Sequence, residues 1–269
     1  RTITVVSSFG AVTTSNENRM RTLVPQIRLG SPELDNFKYN MQGGFAGPNA
    51  RGARGVVLPL DDDATDAIRE AIWRETLQRY EFARNMYDQA KTRATVSVED
   101  EDKAPCFSDA SMVRYYEAPL AAGRQKMDIK RAWEQRLNEV SAVFKTCPEL
   151  SEGSASFSFQ ILRTYFVNSE GSLVVQNRVA TRVMLMASLK AADGMELPLN
   201  RDYFAYTPDD LPDNDRMIAD ARDMIKRLLA LRDAPVADPY TGPAILSGPA
   251  SGVFFHEIFG HRLEGHRLK

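Results

Sequence analysis

The sequence predicts an α+β fold in which an antiparallel or mixed sheet packs with long helices. Two periodicities indicate this class. Apolar residues alternate with polar ones over 157–161 and 173–189, which is the period of a β-strand. Apolar residues recur every three or four positions over 61–93, 128–146 and 214–232, which is the period of an amphipathic α-helix.

The first strands are expected near the start of the chain. Residues 2–8 and 20–29 are rich in Val, Ile, Thr and Leu, as strands are. A Phe9-Gly10 break and the polar stretch 15–18 separate them, so we expect a hairpin or a meander.

A long helix should follow and end near Arg93. Asp61, Asp62 and Asp63 supply side-chain caps and negative charge for its N-terminus. One side of this helix carries apolar residues: Ile68, Ile72, Trp73, Leu77, Tyr80 and Tyr87. The stretch 94–112, with its acidic run at 99–102, is typical of a solvated loop or spacer.

The second half of the chain carries two helices and two long strands. The helix at 128–146 places Ile129, Trp133, Leu137, Val140 and Phe144 on one face. A polar turn at 168–172 joins the two strands, and the third helix covers 214–232.

The last segment begins with a linker. Pro235, Pro239 and Gly242 end the third helix. We then expect a short buried strand at 244–246 and a helix from Pro249 to Lys269. The chain also lacks an initiator Met, so we interpret it as a piece of a longer protein.

Composition limits the function classes. The 34 basic and 36 acidic residues give a net charge of −2, without the basic excess that nucleic-acid binding normally needs. Cys106 and Cys147 cannot form a disulfide framework, and one bridge or two free thiols remain open. No apolar stretch is long enough to span a bilayer.

The residues that carry chemistry lie near the end of the chain. His256 and His261 can ligate zinc, and Glu257 beside the first can deprotonate a metal-bound water. Their spacing, H-E-x-x-x-H, is one residue longer than the familiar H-E-x-x-H of metalloproteases. Residues five apart on a regular helix lie about 140° apart, so these two imidazoles need a distorted helix to share a metal. We expect a π-bulge or a kink beside Gly260, where glycine lowers the cost of a distortion.

Plainer interpretations stay open for these and the neighbouring residues. A His-Glu pair on an amphipathic helix is often a solvated surface. His266 is expected to be a bystander, and Arg262 could bind a substrate carboxylate or be surface charge. Glu264, Cys106 and Cys147 are further potential metal ligands without a supporting motif.

The segments 240–246 and 251–265 resemble the signature of the TldD/PmbA metalloproteases, also called modulators of DNA gyrase. Looser resemblance appears upstream, in Arg28-Leu29-Gly30 with Leu34-Asp35-Asn36, and in residues 165–171. The resemblance is strong over 240–267 and weak over most of the remaining chain.

The resemblance implies a zinc-dependent metallopeptidase that cleaves peptides or unfolded polypeptides. In this family the motif histidines, here His256 and His261, bind the metal, and the motif glutamate, here Glu257, activates water. The third ligand is a Cys of a C-terminal domain, which nothing in this sequence matches, so this chain alone is expected to be inactive.

The same resemblance implies an organisation and an assembly. Residues 1–234 would form an N-terminal domain for guiding substrate or dimerising, and 235–269 would open the catalytic domain with a linker, a strand and the metal-binding helix. A homodimer or heterodimer with a family subunit is expected. Localisation stays unknown: family analogy suggests the cytoplasm and leaves export open.

Two alternatives to a peptidase remain. The chain could be an enzyme-inactive TldE/PmbA-like partner subunit, although it keeps His256, Glu257 and His261. It could also be a non-catalytic metal-binding module. Metal content and a peptidase assay with and without a chelator separate these alternatives.

Overall fold

The computed structural model describes residues 1–38, 55–96, 105–120 and 129–264. The chain divides into two compact units, one formed by 1–19 with 111–237 and the other by 20–110 with 238–269. The domain boundary expected after residue 234 stays a prediction.

Eight strands and four α-helices are described, with short 3-10 turns between some of them. The strands are β1 (Thr2–Ser8), β2 (Ala11–Asn18), β3 (Arg21–Leu23), β4 (Val56–Leu58), β5 (Arg114–Tyr116), β6 (Leu150–Val167), β7 (Leu173–Lys190) and β8 (Glu196–Ala205). The helices are α1 (Thr65–Val96), α2 (Ile129–Ala142), α3 (Asn214–Arg232) and α4 (Gly248–Ile258).

The first unit is built on a six-stranded sheet. Its strand order is β2-β1-β6-β7-β5, and β8 also pairs with β7. Every neighbouring pair is antiparallel except β5 with β7, which is parallel. The α+β class and the mixed sheet are therefore confirmed.

Helices α2 and α3 cover one face of this sheet and form its hydrophobic core. The five apolar residues predicted to share one face of α2 and the following turn are all buried. Trp133 stacks on Phe157 of β6 with ring centroids 4.1 Å apart. Because each large apolar side chain contributes about 1.5–3 kcal/mol when buried, this layer is the main source of the unit's stability.

Helix α3 is fixed at its start and along its length. The Asp213 side chain accepts a hydrogen bond from the Arg216 backbone N–H at 2.9 Å, which caps the N-terminus. Further along, Asp220 accepts hydrogen bonds from the Tyr203 hydroxyl at 2.6 Å and from Arg201 at 3.3 Å. Both donors lie on β8, so Asp220 ties α3 to the edge of the sheet.

The environment of Asp220 changes two pKa values. Burial raises the pKa of Asp220, but hydrogen bonds from Tyr203 and Arg201 outweigh it, so the pKa is lowered. Burial, followed by the hydrogen bond to Asp220, raises the pKa of Tyr203. The favoured state is a carboxylate facing a neutral phenol.

The second unit contains α1, the β3–β4 pair and a loop held by a buried ion pair. Arg28 donates to the fully buried Asp35 at 2.8 Å. Its guanidinium also lies over the rings of Phe37 and Phe107, at 5.3 and 4.7 Å from their centroids. These contacts give a structural role to the Arg28-Leu29-Gly30 and Leu34-Asp35-Asn36 stretches.

Several strand predictions need correction. The polar stretch 15–18 belongs to β2, and only Arg21–Leu23 of the predicted strand 20–29 is a strand. Residues 244–246 form no strand, and the Ile245 side chain is fully exposed. β4, β5 and β8 were not predicted.

The apolar side of α1 is also less buried than predicted. Trp73, Leu77 and Tyr80 are each more than 40% exposed. The buried residues of this helix are three alanines, Ala71, Ala83 and Ala90.

Candidate metal centre

Two short helical elements carry the predicted metal-binding residues. Helix α4 starts after Ser247 with Pro249 in its first turn, where a missing N–H needs no partner. It carries His256 and Glu257 on its last turn. A 3-10 turn, Gly260–Leu263, follows and carries His261.

The structure brings the three side chains together. The potential ligand atoms of His256, Glu257 and His261, hereafter the His256 group, all lie within 4.8 Å of one another. The Nε2 atoms of His256 and His261 lie 4.0 and 3.5 Å from the Glu257 carboxylate oxygens. The two imidazole rings have centroids 4.5 Å apart. Among the described residues, no other set of three or more His, Cys, Asp or Glu side chains converges in this way.

The helix departs from α periodicity between the two histidines, but without a π-bulge. The Phe259 N–H still donates to the Phe255 carbonyl at 3.0 Å, as in an α-helix. The Arg262 N–H then donates to the Phe259 carbonyl at 3.1 Å, as in a 3-10 helix. The backbone breaks at Phe259, with φ −117° and ψ −53°. Because the α-helix gives way to a 3-10 turn there, the five-residue spacing no longer separates the rings.

The role expected of Gly260 needs correction. Its φ is outside the left-handed region that favours glycine. A Cβ added there would meet the nearest atoms, on His256 and Phe255, at 3.9 Å, which is ordinary van der Waals contact. The turn therefore does not require a glycine at this position.

Glu264 makes a contact that the sequence did not predict. Its Oε1 lies 3.0 Å from Nδ1 of His261, on the opposite side of the ring from Glu257. The sequence feature that indicates this contact is the three-residue separation of His261 and Glu264, because side chains three apart lie above one another on a 3-10 turn.

The remaining predicted site residues fall outside the His256 group. Cys106 and Cys147 are both free thiols, and burial raises the pKa of each. The Arg262 side chain is exposed on the 3-10 turn. His266 lies beyond the described residues.

The donor set of the His256 group fits zinc. Two imidazole nitrogens are typical zinc ligands, whereas calcium and magnesium prefer oxygen alone, and a carboxylate beside them can act on a metal-bound water. The group is also accessible, since the His256 and Glu257 side chains are 65% and 59% exposed. The His261 side chain is 29% exposed.

The chain shows limited similarity to known proteins. No family model and no curated protein matches the chain. A solved structure of a candidate modulator of a DNA gyrase from Thermotoga maritima aligns with a TM-score of 0.43 at 11% identity. TldE from Thermococcus kodakarensis aligns with a TM-score of 0.42 at 14% identity.

Both alignments cover 84% of this chain and 42% of the other chain. This chain therefore spans less than half the length of either structure. In the part of the chain that the structure describes, no helix has the length and apolar character needed to cross a membrane.

Proposed function

We propose that this chain carries the metal-binding segment of a zinc-dependent metallopeptidase of the TldD/PmbA type, acting on peptides or unfolded polypeptides. One observation carries the proposal: two imidazoles and a carboxylate converge within 4.8 Å although their spacing is wrong for a regular helix. The resemblance of residues 240–265 to the family signature supports the peptide substrate class.

His256 and His261 would bind zinc through their Nε2 atoms, which are the ring nitrogens nearest to Glu257. Zinc, when bound, polarises a carbonyl and lowers the pKa of water. A catalytic zinc site normally has three protein ligands. By the family resemblance, the third would come from a Cys of a C-terminal region.

Glu257 would act as the general base. Its carboxylate adjoins both ligand nitrogens and is 59% exposed, so water can reach it. Glu257 would take a proton from the attacking water as the water oxygen bonds to the scissile carbonyl carbon. It would then give that proton to the leaving amine as the C–N bond breaks.

The Glu257→Gln variant of the intact protein tests this role. Gln keeps the size of the side chain but cannot accept the proton, so zinc should be retained and hydrolysis should fall about 10²–10⁴-fold. Zinc is measured by elemental analysis and hydrolysis with an unstructured peptide. His256→Ala is the matched control and should lose zinc.

Three outcomes would contradict the proposal. Hydrolysis at the wild-type rate by Glu257→Gln would exclude it as the base. Loss of zinc from that variant would make Glu257 a ligand instead. Zinc-loaded wild-type protein that cleaves no peptide would favour an inactive partner subunit or a non-catalytic metal-binding module.

A further inference from the structure

The two ring nitrogens of His261 face different carboxylates. Nδ1 lies 3.0 Å from Oε1 of Glu264, which is hydrogen-bond distance. Nε2 lies 3.5 Å from Oε2 of Glu257, which is too far for a good hydrogen bond. The ring therefore has one hydrogen-bonded nitrogen and one nitrogen that faces the His256 group.

We propose that Glu264 is a positioning residue that holds His261 as the Nδ1–H tautomer and so presents Nε2 to the metal. The role of Glu264 in zinc binding rests on the proposed function. The contact between Glu264 and His261 itself is present without any metal.

The argument follows from the chemistry of neutral imidazole. The neutral ring carries one N–H, and only the other nitrogen has a lone pair for a metal. A carboxylate accepts hydrogen bonds, so Glu264 favours the proton on Nδ1. Metal-binding histidines commonly donate their second N–H to a carboxylate in this way, which fixes the ring and makes the ligand nitrogen more basic.

The local backbone explains why Glu264 can reach the ring. His261 lies in the 3-10 turn Gly260–Leu263, and Glu264 follows directly after it. A 3-10 helix has three residues per turn, so side chains three apart are nearly eclipsed. The same turn that brings His261 toward His256 therefore also places Glu264 against its far nitrogen.

The tautomer can be measured without metal. In chelator-treated intact protein, with the pH raised until the His261 ring signals stop changing, ¹⁵N NMR distinguishes the protonated ring nitrogen from the unprotonated one. We expect a protonated Nδ1 in the wild type, and a shift toward mixed tautomers in Glu264→Ala. A wild-type ring protonated at Nε2, or an unchanged tautomer in the variant, would overturn the proposal.

Zinc affinity gives a second readout, measured by competition with a chromophoric chelator. Glu264→Ala should weaken zinc binding about 10–100-fold, and Glu264→Gln, which keeps a neutral acceptor, should weaken it less. Leu263→Ala is the matched control, because that side chain is 67% exposed on the same turn. Wild-type affinity in Glu264→Ala would overturn the positioning role. If the wild type itself bound no zinc, the proposed function would fail, and the tautomer measurement would still decide the role of Glu264.

Discussion

Glu257 and Glu264 illustrate how position divides the work between two similar side chains. Both lie beside His261, but on opposite ring nitrogens. Glu264 is close enough to hydrogen-bond and therefore to orient the ring. Glu257 is farther away and faces both imidazoles, which agrees with its proposed role as the base.

Gly260→Ala should leave zinc affinity within about twofold of the wild type. A Cβ at this position meets nothing closer than 3.9 Å, and the backbone does not need a left-handed residue. Chelator competition on the intact protein checks this. A loss of affinity comparable to that of His256→Ala would show that metal binding needs a conformation that only glycine allows.

The sequence predicted the members of the His256 group but only part of its geometry. His256, Glu257 and His261 were identified from residue type and spacing, because their chemistry is a local property. The transition to a 3-10 turn was not predicted, since a five-residue spacing indicates that the helix must change and not how. Glu264 was identified only as one of several potential ligands, because its contact with His261 depends on this 3-10 turn.

The packing of α3 on β8 depends on a charged residue at the edge of the core. Asp220 is 8% exposed and receives its hydrogen bonds from Tyr203, Arg201 and Arg216. Hydrogen bonds to a buried carboxylate contribute more than neutral ones. This contact therefore stabilises both the helix position and the edge strand.

Tyr203→Phe should lower the free energy of unfolding by about 1.5–3 kcal/mol at pH 7, because Asp220 loses a hydrogen bond to its charged form. The folded-state pKa of Asp220 is lowered, so the stabilisation is present above the unfolded pKa, about 4, and is lost as pH falls through the folded value. The deficit of the variant should therefore shrink at about pH 3. Urea unfolding at both pH values measures it.

Tyr206→Phe is the matched control for this experiment. Tyr206 follows β8 and its side chain is 70% exposed, so its loss of a hydroxyl should change stability by less than about 0.5 kcal/mol. An equal deficit for Tyr203→Phe at both pH values would mean that the charge of Asp220 is not what Tyr203 stabilises.

Helices and strands with a strong local sequence pattern were predicted, whereas strands that depend on pairing with distant residues were not. α2, α3 and the β6–β7 hairpin were predicted because their apolar periods are strong and local. β8 contains Pro198 and several charges, which weaken the strand pattern but are tolerated on an edge strand. β5 has three residues and depends on its pairing with the distant β7, so no local signal exists for it.

At the scale of the whole molecule, the first unit and the segment of the proposed metal site, residues 248–263, differ in what stabilises them. The first unit has an extensive apolar core. Helix α4 has no buried residue, and Val253, Phe255 and Phe259 are all at least 60% exposed. Metal binding normally contributes to ordering its own site, so this segment has the most to gain from zinc.

Zinc should slow amide hydrogen exchange in 248–263 and leave β6 and β7 unchanged in the intact protein. The reason is that zinc ties α4 to the 3-10 turn, whereas the sheet contains none of the proposed ligands. Exchange followed by mass spectrometry, with zinc and with a chelator, checks this. The double variant His256→Ala with His261→Ala should show no zinc effect, and zinc protection that appeared in the sheet instead would contradict the assignment of the site.

The β6–β7 hairpin has a consequence for how the sheet opens. Its two strands are 18 residues each and pair continuously toward the Asn168–Ser172 turn. Near its base, Phe157 is buried against Trp133, whereas the side chains from Tyr165 to Val167 are exposed. Opening the pairing near the turn therefore leaves the Trp133–Phe157 contact intact, while separation at the base requires disrupting it. One continuous strand pair thus carries a gradient of opening free energy along its length, which is lower at the turn than at Phe157.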